Sequence, residues 1–183
     1  GRVCDVRSDT FRYGEGEIVR QYVDHPGAAA VVAVDDEGRV LLIQQYRHPI
    51  RRRDWEIPAG LLDVEGEEPL ETARRELAEE VDLEAERWES LVSIFTTPGG
   101  NDEVVHLFLA RGLRSVGTPH DREDEEADIR QEWMPLGQAV EGVLAPGDRL
   151  YVPPYWWHSV AVEDGYGSAL AVARPPIRPS GIS

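Results

Sequence analysis

The 183-residue chain predicts an α+β sandwich, and three observations carry that expectation. Apolar runs of strand length recur between clusters of turn-forming residues. One segment breaks this rhythm: Leu70, Ala73, Leu77 and Val81 repeat at helical spacing. The length suits one domain with a full core and leaves little room for a second.

In chain order, Glu17-Ile-Val-Arg-Gln-Tyr-Val23 alternates apolar and polar residues, as a half-buried strand does. Ala28 to Val34 and Val40 to Gln45 are continuous apolar runs joined by Asp35-Asp-Glu-Gly38, which signals a hairpin. Trp55-Glu-Ile-Pro58 is a short extended piece before a glycine-containing loop. The stripe Leu70, Ala73, Leu77, Val81 defines the long helix. Arg87 to Phe95, Val104 to Ala110 and Ile129 to Met134 read as further strands, and Leu136 to Leu144 as a short helix. Strands around one long and one short helix bury their apolar faces by stacking in layers.

Composition narrows the partners. A formal net charge of −16 repels nucleic acid and anionic membrane surfaces at long range, so an anionic small substrate must be drawn in locally, by arginines and a bound cation. The single cysteine, Cys4, excludes an internal disulfide framework, and no apolar run reaches the length of a signal core or a membrane span. A reducing, cytoplasmic setting is the expectation. The chain begins at Gly1 rather than at methionine, which points to trimming or to an added remnant ahead of the native start.

The chemistry concentrates in Arg75-Glu-Leu-Ala-Glu-Glu-Val-Asp-Leu83. On a helix Glu76, Glu79 and Glu80 are spaced i, i+3 and i+4, so three carboxylates project from one face. Bare, they repel; a hard divalent cation such as Mg²⁺ converts that repulsion into coordination, and a diphosphate can complete its shell. Acidic helical runs are more often solvated faces, and Arg75 could merely pair with Glu71 or Glu79. Context favours the site: Glu67 lies near the helix start, where the macrodipole favours an anion, and the opposite stripe is apolar.

With these residues in view, the segment resembles the Nudix box, G-x5-E-x7-R-E-U-x-E-E-x-G-U with U aliphatic. Glu67, Arg75, Glu76, Leu77, Glu79, Glu80 and Leu83 fall on the pattern. It departs twice: six residues rather than five separate Gly60 from Glu67, and Asp82 stands where the box has its last glycine, a helix-end position that often needs positive φ. The resemblance implies a Nudix α/β/α sandwich with a mixed sheet, preceded by an antiparallel N-terminal strand region. It places that region at residues 1–26, the hydrolase domain at 27–144 and an atypical tail at 145–183.

Within the family, Gln44-Gln-Tyr-Arg-His-Pro-Ile50, Trp55-Glu-Ile-Pro-Ala-Gly60 and Pro98 are similar to segments of ADP-ribose and nucleoside-diphosphate-sugar pyrophosphatases. The implied reaction is attack of water on the diphosphate bridge, giving AMP and ribose 5-phosphate from ADP-ribose. By the same resemblance Glu76, Glu79, Glu80 and the Ala59 carbonyl bind Mg²⁺, or Mn²⁺ in its place, and Arg75 orients Glu79. Substrate contacts are expected at Arg47, at one of Arg51 to Arg53 with Arg53 foremost, and at Trp55, Glu56 and Pro98. The general base is expected at Glu126, with Glu125 second, in the acidic stretch Asp121 to Asp128. A homodimer through the N-terminal strands is implied as well.

The tail fits that family least. Leu144 to Val160 is similar to the closing strands of cupin and JmjC-like oxygenases, where the run ends on an iron-binding histidine. No H-x-D or H-x-E partner exists for His158, so it is expected to be structural or orphaned rather than a ligand. Tyr155, Trp156 and Trp157 either finish the core or form a dimer contact. Two readings of function stand: a Nudix hydrolase, and a Nudix-fold module that binds a nucleotide for regulation without turnover.

Overall fold

The computed structural model describes residues 3–118, 120, 122 and 127–141. The elements run β1 (Asp5–Tyr13), β2 (Gly16–Asp24), β3 (Ala28–Ala33), β4 (Arg39–Arg47), β5 (Arg52–Glu56), β6 (Ala59–Leu61), α1 (Pro69–Val81), β7 (Leu83–Phe95), β8 (Val104–Ser115), β9 (Arg130–Pro135) and α2 (Leu136–Glu141). They form a two-stranded sheet β1-β2, a four-stranded sheet β6-β3-β8-β7 and a three-stranded sheet β5-β4-β9. The four-stranded sheet is mixed, because β3 runs parallel to β8 while β6 and β7 lie antiparallel to their neighbours. The predicted mixed sheet between helices is present.

The turn at Asp35 to Gly38 forms as expected. Gly38, at φ +76°, donates its N–H to the Asp35 carbonyl, and the Asp35 carboxylate accepts the N–H groups of Glu37 and Arg39. The hairpin it announced does not. A single bridge, Val34 to Val40, links the two runs before they diverge into different sheets. A strand has two edges; those of β3 are taken by β6 and β8, and those of β4 by β5 and β9. Two other expectations are adjusted. Strands β7 and β8 extend from Leu83 and to Ser115, beyond the apolar runs that announce them, and β6 forms where the sequence pattern predicts a loop. Helix α2 starts at Leu136 as expected; its predicted end, Leu144, and the tail from 142 onward lie outside the described residues.

Because β3 is buried on both faces, its residues split between cores. Ala29, Val31 and Ala33 pack with Leu41, Ile43, Phe108, Ala110 and the α1 stripe Ala73, Leu77, Val81. Val32 and Val34 pack on the opposite side with Val40, Leu42, Trp55, Leu109, Met134 and Ala139 of α2. One helix on each side of the strands is the layered arrangement the pattern predicted. Burying a side chain such as Leu77, 0 % exposed, contributes about 2 kcal/mol.

Helix α1 begins where its sequence dictates. Glu68 is extended, Pro69 occupies the first turn where its missing N–H costs nothing, and the Glu68 carbonyl accepts the N–H groups of Glu71 and Thr72. It ends at Asp82, which adopts the left-handed conformation at φ 56°, ψ 37° and donates its N–H back to Ala78 and Leu77. The box position that usually holds glycine has the geometry glycine would give it.

Candidate active site

The buried stripe of α1 lies against the sheet, which leaves Arg75, Glu76 and Glu79 at its margin beside the loop that carries Glu67. Arg75 gathers the carboxylates. Its guanidinium donates to both oxygens of Glu67 at 3.2 and 3.1 Å, to Glu76 at 2.6 Å and to Glu79 at 3.1 Å. The expected contact with Glu79 is there, but it is one of three. Thr72, fully buried, fixes Glu67 from the other side through a 2.8 Å hydrogen bond. Arg75 and then Thr72 hold the Glu67 carboxyl below the usual carboxylate range, and Glu67, with its partner carboxylates, raises the Arg75 guanidinium further above its already high value.

Glu80 points inward and is 3 % exposed. Its Oε2 accepts the Ala59 N–H at 2.9 Å, which fastens the helix to β6. Next in β6, Gly60 has a role only glycine can fill. A Cβ there would lie 1.9 Å from the Glu76 carboxyl carbon, so the bare backbone makes room for that carboxylate. Ala59, Glu80, Gly60 and Glu76 are therefore neighbours, as a metal-binding reading requires.

Donor chemistry fits a hard divalent cation, since every group offered is oxygen. The arrangement is nonetheless the ion-paired one: Arg75 occupies Glu76 and Glu79, and among the described residues no three acidic, histidine or cysteine side chains converge as a metal-ready group. A cation bound there would have to displace or share Arg75's contacts to complete its shell.

The predicted substrate residues are distributed differently. Arg47 and Glu56 bind one another through two hydrogen bonds of 2.8 and 2.7 Å across β4 and β5. Arg53 pairs with Asp128, the last residue of the acidic stretch. Trp55 is packed into the second core cluster at 9 % exposure, and its buried indole N–H has no partner among the described residues. Its polar neighbours Asp54 and Glu56 on a short strand concealed this: the pleat sends them to the opposite face and Trp55 to the core. Pro98 sits in an exposed turn closed by hydrogen bonds from Gly100 and Asn101 to the Thr97 carbonyl. That turn docks on β2, where Val23 donates to the Gly100 carbonyl and accepts from Asp102. Glu125, Glu126 and His158 lie outside the described residues.

One contact escaped the sequence reading. Arg122, within the acidic stretch, donates to the Glu79 backbone carbonyl at 2.8 Å and to the Asp82 carboxylate. No local pattern links positions forty residues apart; the departure at Asp82 was the sole hint.

Residues 24–154 match the NUDIX domain family. The chain is similar to an ADP-ribose pyrophosphatase of Mycobacterium tuberculosis, 49 % identical over 79 % of this chain and 70 % of that protein. A methanol dehydrogenase activator of Bacillus methanolicus is 44 % identical over 77 % of this chain and 76 % of the activator. An ADP-ribose pyrophosphatase of Bacillus subtilis is 40 % identical over 69 % and 68 % respectively.

Proposed function

The chain belongs to the Nudix family, and from that premise we propose that it hydrolyses the diphosphate bond of ADP-ribose, or of a closely similar nucleoside-diphosphate sugar, giving AMP and ribose 5-phosphate. The observation that carries this reading is the gathering of Glu67, Glu76 and Glu79 by Arg75 at the margin of α1, with Glu80 seated on Ala59. A chain that only bound nucleotides would have no need of so complete a carboxylate set.

Glu76, Glu79, Glu80 and the Ala59 carbonyl would hold a divalent cation, Mg²⁺ by preference and Mn²⁺ in its place, which when bound would supply neutralisation of phosphate charge and a more acidic water. Glu67 and Thr72 anchor Arg75, and Arg75 in turn fixes the rotamers of Glu76 and Glu79. Arg47 and Arg53 are the proposed phosphate grips. Each is held ready by a carboxylate, Glu56 or Asp128, that a phosphate can replace. Glu56 is thereby a gatekeeper of Arg47, and Trp55 and Pro98 shape the pocket from the core and from the β7–β8 turn. Glu126, with Glu125 second, is the proposed base that takes the proton of the attacking water.

Among the described residues no helix is long and apolar enough to cross a membrane. We place the activity in the cytoplasm, where the exposed Cys4 stays reduced. The 44 % identity to a methanol dehydrogenase activator favours, as a second reading, a regulatory module that binds a nucleotide. Incubation with ADP-ribose, GDP-mannose, NADH and diadenosine polyphosphates, with Mg²⁺ and with EDTA, decides. Release of AMP from ADP-ribose that EDTA abolishes is expected. Tight binding of ADP-ribose without any cleavage would establish the regulatory reading instead.

A further inference from the structure

Asp82 departs from the box glycine and yet keeps its left-handed backbone at φ 56°. The side chain it adds is fully engaged. Its Oδ1 accepts the His120 N–H at 2.8 Å, its Oδ2 accepts Arg122, and its backbone carbonyl accepts the Val116 N–H at 2.9 Å. Arg122 spreads its fork across two acceptors: one arm reaches Asp82, and Nε reaches the Glu79 carbonyl, a helix-end group with no partner inside the helix. Helix α1 has no basic residue in its own last turn, so Arg122 supplies from outside the cation that the negative end of the dipole favours. Both partners are about one-fifth exposed, at 20 % and 22 %, which limits screening by solvent.

We infer that Asp82 and Arg122 are a positioning pair for the hydrolytic reaction, holding the last turn of α1 so that Glu79 and Glu80 keep a fixed orientation; the inference rests on the hydrolase reading above. The reason lies in placement. Glu79 and Glu80 belong to the final turn, where a helix frays first, and Glu79 is the most exposed of the gathered carboxylates at 43 %. Arg75 holds Glu79 by its side chain. Arg122 holds it by its backbone. Glycine at position 82 would allow the same chain path but could not anchor Arg122.

The test uses Arg122→Ala, Asp82→Gly and the double variant of the full chain. Each single change is expected to lower kcat for ADP-ribose about tenfold while KM stays within about twofold, as for a loss felt after substrate has bound. Amide exchange in the Leu77–Asp82 segment should quicken by about tenfold in both. The double variant should fall no further than Arg122→Ala alone, because that change already removes the contact with Asp82. Asp82→Gly suits the backbone geometry, so a folding defect does not mask its result. Retention of wild-type kcat by Asp82→Gly, or faster exchange without a change in kcat, makes the pair a structural tie and overturns the inference. Wild-type protein that releases no AMP overturns the hydrolase reading itself, and is distinguished because the parent fails together with the variants.

Discussion

Two residues test the site most directly. Glu80→Gln keeps the shape of the side chain and an oxygen to accept the Ala59 N–H, but removes the charge offered to a cation. The expected result is a loss in turnover of about a thousandfold with an unchanged melting temperature. Near wild-type Mg²⁺-dependent rates would remove Glu80 from the metal set. Gly60→Ala probes the same place from the opposite wall. Its methyl group would collide with the Glu76 carboxylate, the far end of a flexible side chain, so Glu76 swings aside and the protein still folds. The concentration of Mg²⁺ needed for half-maximal activity should rise by about tenfold or more. An unchanged requirement would mean that Glu76 is not a ligand. The carboxylates were legible because helical spacing alone puts them on one face. Arg75's reach to Glu67 was not, since it depends on how the preceding loop folds back over the helix.

At the scale of elements, local pattern located pieces and misjudged partnerships. The Asp35 to Gly38 turn formed from side-chain chemistry within four residues, whereas sheet membership of β3 and β4 was decided largely by β6, β8 and β9, strands distant in sequence from the ones they join. Trp55 shows the same limit, because nothing in a five-residue strand says which face meets the core. The turn offers a pH test. Burial pushes the Asp35 carboxyl up, but the backbone N–H and guanidinium of Arg39 and the N–H of Glu37 outweigh it, so the folded-state value lies below the ordinary 3.8. Its stabilisation is therefore present above that unfolded value and is lost as pH falls through the lower folded one. Asp35→Asn should cost about 1 to 2 kcal/mol at pH 7, and less at pH 3, by urea unfolding. Equal costs at the two pH values would show that the ionised form contributes nothing.

For the molecule as a whole, the β1-β2 hairpin is the part that the described residues account for least. Along β1 every residue is exposed, and Val6 at 79 %, Tyr13 at 72 %, Val19 at 55 % and Phe11 at 41 % present apolar surface on both faces of the ribbon. The register puts Phe11 opposite Ile18 with Tyr13 beside them, and Val6 opposite Val23 on the reverse face. A two-stranded ribbon alone is marginal in water, so this one needs a cover. Its charges alternate in sign, with Asp9 opposite Arg20 and Arg7 bound to Asp24. Such a surface can complement a copy of itself, and a two-fold pair closes that contact without leaving an open edge. We therefore propose a homodimer in which the hairpins cross between subunits, with the β7–β8 turn, already docked on Val23, carried into the contact. Light scattering at micromolar concentration should give twice the 20.5 kDa chain mass, and removal of residues 1–24 should give a folded monomer of low activity. A fully active full-length monomer would show that the hairpin serves another surface.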